Sequence, residues 1–419
     1  IGVAKSGMTR EQVIDRAREG ITTFGRGVDE AVFKKFADQF QYVDGDYGDP
    51  ATFQNLKKAL GDAKRPLFYL AIPPVLFGTV TKGLKAAGCL NDDARVVVEK
   101  PFGHDAASAK ALNRTLHDVL EEHQVFRIDH YLGKEATQNV LYTRFANAFL
   151  EPVWNRNYIS NIQVTMAESF GVQGRGAFYD ATGCLRDVIE NHLMQVVGFL
   201  CMEAPYWPDK ERVRDEQVKL FKSIRTISTN DIVRGQFEGY LQEPGVAPNS
   251  QTETFAAVRV FIDNWRWQGV PIYIRAGKNL PVSATEVRVQ FHRPPQVVFP
   301  DEQAPMHNYV RFLFSPRIEI GICMQVKIDG ERMVGEPMEL KVVDQQPDEM
   351  TPYERLIGDA IQGDQALFAR QDVVEEGWRI VEKIIGNSVP VHPYKPGTWG
   401  PDAVNDVLLP SGGWHAPQV

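Results

Sequence analysis

The sequence predicts a doubly wound α/β region at the start of the chain and, after it, an α+β region with a large, mainly antiparallel sheet. The length of 419 residues exceeds what one typical hydrophobic core supports, which indicates two domains. In the first third, buried apolar runs alternate with helical stretches, as parallel strands joined by crossover helices require. Beyond it, several strands follow in series with short polar connections, a pattern typical of an antiparallel sheet.

The α/β region contains three apolar runs that predict strands buried on both faces: Pro66–Ile72, Ala94–Val98 and Gln124–Ile128. Helical stretches separate them, one ending near Gly88 and one over about Ala106–Glu122. Part of a doubly wound domain is therefore expected here.

The second region begins with a helix near Glu135, an alternating strand at Asn161–Glu168 and a helix over Asp187–Leu200. Five further strands are predicted at Phe255–Ile262, Pro271–Arg275, Glu286–His292, Tyr309–Phe314 and Ile318–Ile328. Helices near Pro352–Ala360 and Asp372–Ile385 are expected to cover this sheet, and the Pro- and Gly-rich tail from Pro390 is expected to be irregular.

The overall composition excludes several classes of partner. A net charge of −8 argues against a general affinity for nucleic acid or for anionic membranes, so an anionic substrate needs a local basic cluster. No apolar run approaches the roughly 20 residues that span a bilayer. The four cysteines are scattered without a Cys-x-x-Cys pair, which predicts reduced thiols in a cytoplasmic protein and no metal site.

The segment Arg127–Glu135 is the most informative stretch of the chain. A strand ends here and a helix begins, so His130, Tyr131 and Lys134 are expected near a helix N-terminus at the carboxyl end of a strand. An imidazole, a phenol and an ammonium at that position suit a phosphate group. The alternative is a charged loop in which Tyr131 packs against the core.

Two further residues stand out, each with a structural alternative. Lys100 follows a predicted strand, where it could contact cofactor and substrate, although alone it is more often a surface lysine. His192 shares a helical stripe with Val188, Gln195 and Phe199, and alone it is more often a core residue. Hydride abstraction from a hydroxyl-bearing carbon needs a base, and the histidines His130 and His192 with the carboxylate of Asp129 are suitable residues for it. The sequence does not show that these side chains meet.

Taken together, these motifs resemble the glucose-6-phosphate dehydrogenase family over nearly the whole chain. The matching motifs are Glu99–Gly103, Arg127–Glu135, Asn191–His192 with Met194–Gln195, Tyr273–Lys278, Pro352–Ile357 and Trp378–Arg379. The Arg-Ile-Asp-His-Tyr-Leu-Gly-Lys-Glu string is highly specific to that family.

The resemblance implies the oxidation of glucose 6-phosphate at C1 to 6-phosphogluconolactone, the first step of the oxidative pentose phosphate pathway. It implies His192 as the general base and Asp129 as its carboxylate partner. The implied substrate-binding residues are Lys100, which would also contact the cofactor, with His130, Tyr131, Lys134, Glu168, Asp187 and Lys278. It further implies a dinucleotide-binding Rossmann-like domain over 1–129, and an α+β substrate-binding domain over 130–419 that forms a homodimer or homotetramer.

The chain departs from the family pattern at its start. The family's first strand and Gly-x-x-Gly-Asp-Leu turn have no counterpart here, so the Rossmann-like domain is expected to be N-terminally incomplete in this chain as given. Ile1–Ser6 instead resembles the family's second strand and the turn after it. Gly25-x-Gly27 is no substitute, because it is predicted to lie within a helical stretch. A second departure is Ser283, at a position where the family often carries a basic residue.

The cofactor is expected to be NADP, with NAD also possible. A basic residue after the second strand favours the extra phosphate of NADP, and Lys5 stands at that turn. Two other interpretations remain open at this stage. One is a dehydrogenase of another hexose 6-phosphate, and the other is a phosphosugar-binding regulatory protein without a working cofactor site.

Overall fold

A computed structural model describes residues 1–25, 27–206, 211–295, 298–299, 306–343 and 350–418. The chain forms two compact units. Unit 1 comprises Ile1–Gly103, Lys110–Ile128 and Ala360–Gly363, and unit 2 comprises His104–Ala109, Asp129–Asp359 and Asp364–Val419. Apart from two short exchanged segments, the division falls between Ile128 and Asp129.

The elements of the first third alternate between strand and helix. In chain order they are β1 (Gly2–Ala4), α1 (Arg10–Phe24), α2 (Glu30–Gln39), β2 (Tyr42–Asp44), α3 (Pro50–Leu60), β3 (Leu67–Leu70), α4 (Phe77–Ala86), β4 (Arg95–Glu99), α5 (Ala106–His117) and β5 (Val125–Ile128). Thr9 and Gln12 form a capping box at the start of α1, and Asp29 and Asp49 cap α2 and α3. Local sequence therefore sets where these helices begin.

All strand pairs described in unit 1 are parallel. β1 pairs with β2, while β3, β4 and β5 form a sheet in that order. Phe77 and Leu84 of α4 pack against Val96 and Val98 of β4 in a buried apolar cluster. Gly25 is the C-cap of α1 and Gly27 precedes α2, so the pair predicted to lie within a helical stretch lies between two helices.

Unit 2 begins with helices and continues as a sheet. Its elements are α6 (Glu135–Ala146), β6 (Ile159–Ala167), α7 (Gly176–Cys184), a π-helical segment (Leu185–Leu193), α8 (Met194–Cys201), α9 (Glu211–Ser223), β7 (Ile232–Phe237), β8 (Phe255–Val260), β9 (Ile272–Gly277), β10 (Ala284–Phe291), β11 (Tyr309–Ser315), β12 (Glu319–Lys327), β13 (Gly335–Val343), α10 (Pro352–Gln362), α11 (Gln371–Val381), β14 (Val391–Tyr394) and α12 (Ala403–Val407).

Within the described residues, the sheet of unit 2 has nine strands in the order β13-β12-β11-β10-β6-β9-β8-β7-β14. Its neighbouring strands are antiparallel except at β6–β9 and β14–β7, which are parallel. The predicted sheet is therefore confirmed as mainly antiparallel, and the parallel pair β6–β9 matters for the site described below.

The sequence missed β7, β13 and β14 in the sheet of unit 2, as well as β2 in unit 1. The tail from Pro390 was expected to be irregular, yet Val391–Tyr394 forms β14 in parallel to β7. Pro393 lies within this strand, which proline tolerates because β14 is at the sheet edge. Pro337 similarly interrupts the strand pattern of β13, the opposite edge. Edge strands with proline carry too weak a local signal to be predicted.

A buried charge network links β10, β11, β12 and β13. The Arg311 guanidinium forms ion pairs with Glu286, Glu319 and Glu339, and Arg317 also bonds Glu319. Burial would raise the pKa of Glu319, but hydrogen bonds from Arg311 and Arg317 prevail and lower it to about 2. The ionised carboxylate therefore stabilises the folded state.

The depressed pKa of Glu319 gives a pH-dependent stability. Its contribution, on the order of 3 kcal/mol, is present above the ordinary value of 4.5 and is lost as the pH falls towards 2. We expect Glu319→Gln to lower the unfolding free energy near neutral pH and to weaken its decline with acid. Urea unfolding between pH 7 and pH 3 would measure both. An unchanged acid dependence in this variant would contradict the prediction.

Among the residues that the structure describes, we find no helix with the length and apolar character needed to cross a membrane.

Candidate functional site

The parallel strands β6 and β9 bring two predicted site residues together. Ala167 pairs with Gly277 at the carboxyl ends of these strands, so the residues that follow, Glu168 and Lys278, lie side by side. The Lys278 ammonium forms an ion pair with the Glu168 carboxylate. Ser283, at the position of the second departure, bonds the backbone N–H of the adjacent Ser169 at 2.9 Å.

A tight turn follows the last residue of β5. The Asp129 carboxylate accepts a hydrogen bond from the Tyr131 backbone N–H at 2.9 Å, and its carbonyl accepts one from Leu132 at 3.0 Å. The helix α6 then begins at Glu135, with Lys134 as its N-cap residue. We call Asp129–Lys134 the phosphate turn, because it presents the three residues for which the sequence predicted phosphate binding.

His192 lies in the π-helical segment Leu185–Leu193 and is 3% exposed. The sequence predicted that Val188, His192, Gln195 and Phe199 share one helical stripe, and all four are buried, although the first part of the stripe lies in a π-helical segment. In a π-helix the hydrogen bonds run from i to i+5, so its turn is wider than that of an α-helix. Single π turns of this kind occur frequently at functional sites.

Asp129 and His192 form a buried pair. The Nδ1 atom of His192 lies 2.5 Å from the Asp129 carboxylate oxygen Oδ1, and both residues are 3% exposed. A carboxylate only accepts hydrogen bonds, so Nδ1 carries the proton and Nε2 is the unprotonated nitrogen of the neutral ring. The geometry thus defines the tautomer that a general base at Nε2 requires.

Aromatic rings surround this imidazole. The Tyr131 ring stacks on it with centroids 4.6 Å apart and an angle of 22°, and His130 meets it edge-on at 4.4 Å. The Lys134 ammonium lies 3.7 Å from the centroid of the Tyr131 ring. The structure therefore brings the predicted base His192, its predicted carboxylate partner Asp129 and the three predicted phosphate-binding residues into one cluster.

The Tyr131 hydroxyl is directed into the protein. It lies 3.2 Å from the Thr285 hydroxyl and 3.4 Å from the sulfur of Met166, and the residue is 1% exposed. Burial raises the pKa of this phenol well above its usual value, although the bond to Thr285 opposes the shift. The phenol thus stays neutral and anchors the ring beneath its charged neighbours.

Asp187 and Lys278 both lie near the ring of Tyr179. The Lys278 ammonium is 5.2 Å from the ring centroid. Burial is the main cause that raises the pKa of Tyr179, and the negative charge of Asp187 adds to it. Asp187 therefore belongs to the same charged surroundings as Lys278.

The predicted cofactor residues lie in unit 1. Lys100 directly follows β4 and is half-buried. Lys5, which follows β1, is exposed and lies 2.8 Å from the carboxylate of Asp46, which raises the pKa of Lys5. The Asp44 carboxylate accepts backbone N–H groups of Ser6 and Gly7 at 2.9 and 3.0 Å.

Sequence reasoning missed Asp46 and Tyr353. Asp46 follows β2, and an acidic residue after a strand parallel to β1 was a usable signal for a partner of Lys5. Tyr353 lies in the matching motif Pro352–Ile357, but no role was predicted for it, because its ring contact with His130, at 6.2 Å between centroids, joins segments distant in sequence.

Asp129, His130 and His192 are also residue types that bind metal ions. Their ligand atoms lie within 4.8 Å of one another. The contact between Nδ1 of His192 and Asp129 is, however, a direct hydrogen bond. That arrangement fits a base oriented by a carboxylate.

Comparison with known proteins places this site in a family. Residues 1–139 match the family described as "Glucose-6-phosphate dehydrogenase, NAD binding domain", and residues 141–415 match "Glucose-6-phosphate dehydrogenase, C-terminal domain". The chain is 42% identical over 421 residues to glucose-6-phosphate 1-dehydrogenase 1 of Mycobacterium tuberculosis, covering 100% of the chain and 89% of that protein. It is 38% identical over 408 residues to glucose-6-phosphate 1-dehydrogenase of Bacillus subtilis, covering 90% and 83%.

Solved structures agree with the sequence relatives. The crystal structure of glucose-6-phosphate 1-dehydrogenase from Mycobacterium avium is similar with a TM-score of 0.94 at 40% identity, covering 100% of this chain and 91% of that one. A glucose-6-phosphate dehydrogenase in complex with its substrate glucose 6-phosphate is similar with a TM-score of 0.90 at 34% identity, with the same coverage. The chain therefore belongs to the glucose-6-phosphate dehydrogenase family of oxidoreductases, as its motifs had indicated.

Proposed function

We propose that this enzyme oxidises D-glucose 6-phosphate at C1 to 6-phosphogluconolactone and transfers the hydride to NADP. The observation that carries the proposal is the buried Asp129–His192 pair, with Oδ1 and Nδ1 2.5 Å apart, beside the phosphate turn. A base with a defined tautomer next to His130 and Lys134 as potential phosphate ligands suits the oxidation of a phosphorylated sugar.

In the proposed mechanism, Nε2 of His192 accepts the proton of the C1 hydroxyl. The C1–O bond gains double-bond character as the hydride leaves C1, and the product is the lactone. The dinucleotide supplies the hydride acceptor. Asp129 holds the imidazole by its Nδ1–H and stabilises the imidazolium that forms, while the stacked Tyr131 ring keeps the imidazole plane in place.

The remaining residues are assigned to different parts of the substrate. His130 and Lys134 serve the 6-phosphate at the N-terminus of α6, where backbone N–H groups add to the attraction. Tyr131, whose hydroxyl is bound to Thr285, supports both the imidazole of His192 and the Lys134 ammonium with its ring. Glu168, Asp187 and Lys278 serve the sugar hydroxyls and the phosphate. We assign Lys100 to both sugar and cofactor, unit 1 to the dinucleotide, and unit 2 to the sugar phosphate and to self-association.

Initial rates of dinucleotide reduction test the proposal. We expect the highest kcat/KM with glucose 6-phosphate in a panel that includes mannose 6-phosphate, galactose 6-phosphate and free glucose. A higher kcat/KM for another hexose 6-phosphate would show that this sugar, and not glucose 6-phosphate, is the preferred substrate. Binding of glucose 6-phosphate without any reduction of NADP or NAD would contradict the proposed activity.

The residues around Lys5 fit a 2′-phosphorylated nucleotide, although the ion pair with Asp46 partly neutralises the Lys5 ammonium. Lys5 is exposed after β1 and offers an ammonium to a phosphate. Asp46 competes for the same ammonium, and Asp44 already accepts the N–H groups of Ser6 and Gly7. We therefore propose a preference for NADP with NAD as an acceptable substitute.

Lys5→Ala tests this preference. Loss of one exposed charged contact is expected to lower the ratio of kcat/KM for NADP to that for NAD roughly five- to tenfold. Titration with a 2′-phosphorylated adenosine nucleotide, without turnover, should show the same loss of affinity. Lys57→Ala, at another exposed lysine of unit 1, is the matched control. An unchanged ratio in Lys5→Ala would remove Lys5 from the cofactor site.

We further propose that unit 2 mediates formation of a homodimer or homotetramer. The neighbouring strands β12 and β13 carry an apolar strip of Met324, Met338, Leu340 and Val342, of which Leu340 is 60% and Val342 70% exposed. Contiguous apolar surface of this kind is typical of protein–protein interfaces. Sedimentation equilibrium would measure the mass, and a monomer at micromolar concentration would contradict the proposal.

A cytoplasmic location is also proposed. The four cysteines are free and buried, as expected for thiols kept reduced.

A further inference from the structure

The first turn of α10 packs against the phosphate turn. An added Cβ on Gly133 would lie 2.9 Å from the Pro352 carbonyl oxygen and 3.0 Å from a side-chain carbon of Leu356. Only glycine permits this approach, so the backbone of α10 is seated directly on the turn that carries His130 and Lys134.

Tyr353, in the same turn of α10, faces His130. The two rings are parallel within 11° and their centroids are 6.2 Å apart, which is within the range of offset aromatic pairs. His130 in turn meets His192 edge-on at 4.4 Å. The orientation of His130 is thus determined from two sides, by the base and by α10.

Arg355 connects α10 to the first turn of α6. Its guanidinium lies 2.5 Å from the Glu135 carboxylate and 3.0 Å from the side-chain oxygen of Gln138. Glu135 directly follows Lys134, the N-cap residue of α6. Arg355 therefore balances a carboxylate that would otherwise oppose an anionic ligand at this helix N-terminus.

The first turn of α10 is itself held in place. The hydroxyl of Thr351 accepts the backbone N–H of Glu354 at 3.2 Å, its carbonyl accepts that of Arg355 at 3.1 Å, and Leu356 is fully buried. A capped and anchored turn is a rigid support for the residues that contact it.

We propose that Tyr353 and Arg355 are positioning residues of the phosphate subsite. The inference rests on the proposed function, since it assumes that the phosphate turn binds the 6-phosphate. Tyr353 acts through His130 and Arg355 acts through Glu135. Together they hold the phosphate ligands in the binding geometry before the substrate arrives, so that less ordering is required on binding.

The test measures binding and turnover separately. Loss of an aromatic pair predicts that Tyr353→Ala raises the Kd for glucose 6-phosphate, and for inorganic phosphate as a competitor, roughly three- to tenfold. The kcat at saturating substrate should stay within about twofold, because the Asp129–His192 pair is intact. Tyr353→Phe should restore the wild-type Kd. Arg355→Ala should raise the Kd similarly, and Arg355→Lys should recover part of the loss.

Glu354→Ala, an exposed residue in the same turn, is the matched control and should leave the Kd unchanged. Tyr353 is 42% exposed, so its replacement is compatible with folding, and thermal unfolding would verify this. Folded Tyr353→Ala and Arg355→Ala with wild-type Kd values, or with kcat reduced at unchanged Kd, would overturn the inference. Wild-type enzyme that binds neither ligand would overturn the proposed function itself, and the inference with it.

Discussion

Replacing His192 by Asn is expected to lower kcat roughly 10²- to 10⁴-fold, the range that a general base contributes. Asparagine cannot accept the C1 hydroxyl proton as imidazole does, while its size keeps the buried site filled. The KM for glucose 6-phosphate should change little, because the proposed phosphate ligands are other side chains. Steady-state rates with saturating dinucleotide would measure both constants.

The matched control is His392→Asn, at an exposed histidine of unit 2, which should leave kcat unchanged. Asp129→Asn should also reduce kcat strongly, because an amide at 2.5 Å from Nδ1 no longer selects the tautomer with an unprotonated Nε2. A His192→Asn enzyme with near-normal kcat would remove His192 from the mechanism.

Replacing Lys134 by Ala has the second largest expected effect. The kcat/KM for glucose 6-phosphate should fall roughly 10- to 150-fold, which corresponds to the loss of one charge-assisted hydrogen bond of about 1.5–3 kcal/mol. The effect should appear mainly in KM, since Lys134 lies 3.7 Å from the Tyr131 ring and not at the Asp129–His192 pair.

Turnover of free glucose distinguishes the loss of a phosphate contact in Lys134→Ala from a general change in the structure. Its low turnover should be nearly the same in Lys134→Ala and in the wild type, because glucose has no phosphate for Lys134 to contact. Lys222→Ala, at an exposed lysine of α9, is the control for a general loss of positive charge. An equal loss with glucose and glucose 6-phosphate would contradict a phosphate role for Lys134.

Strands with strong local patterns were predictable to within about two residues at most ends. The runs predicted at Ala94–Val98 and Tyr309–Phe314 correspond to β4 at Arg95–Glu99 and β11 at Tyr309–Ser315. Both carry buried β-branched or aromatic residues, whose pattern reflects burial directly. By contrast β14, at an edge of the sheet, contains Pro393 and receives its hydrogen bonds from β7, which is distant in sequence.

The candidate site likewise has parts that the local sequence predicts and parts that depend on residues distant in the chain. The phosphate turn was predictable because its residues are consecutive and its geometry is local, with Asp129 accepting the N–H of Tyr131 two positions on. The π-helical segment was not predictable, because the change from i→i+4 to i→i+5 hydrogen bonds does not alter the pattern of apolar residues. The direction of the Tyr131 hydroxyl depends on Thr285, 154 residues away.

By itself the sequence determined the two fold classes, the family and the residue types that the chemistry requires. These follow from short-range rules, since periodicity, capping and contiguous motifs act within a few residues. Only the tertiary structure decided which of these side chains meet. Asp129 and His192 are 63 positions apart, and their 2.5 Å contact exists because a turn after β5 and a π-helical segment are packed together in unit 2. Tyr353 and Arg355 reach the phosphate turn for the same reason: burial of Leu356 brings distant segments into contact, and long-range packing of this kind has no local pattern in the chain.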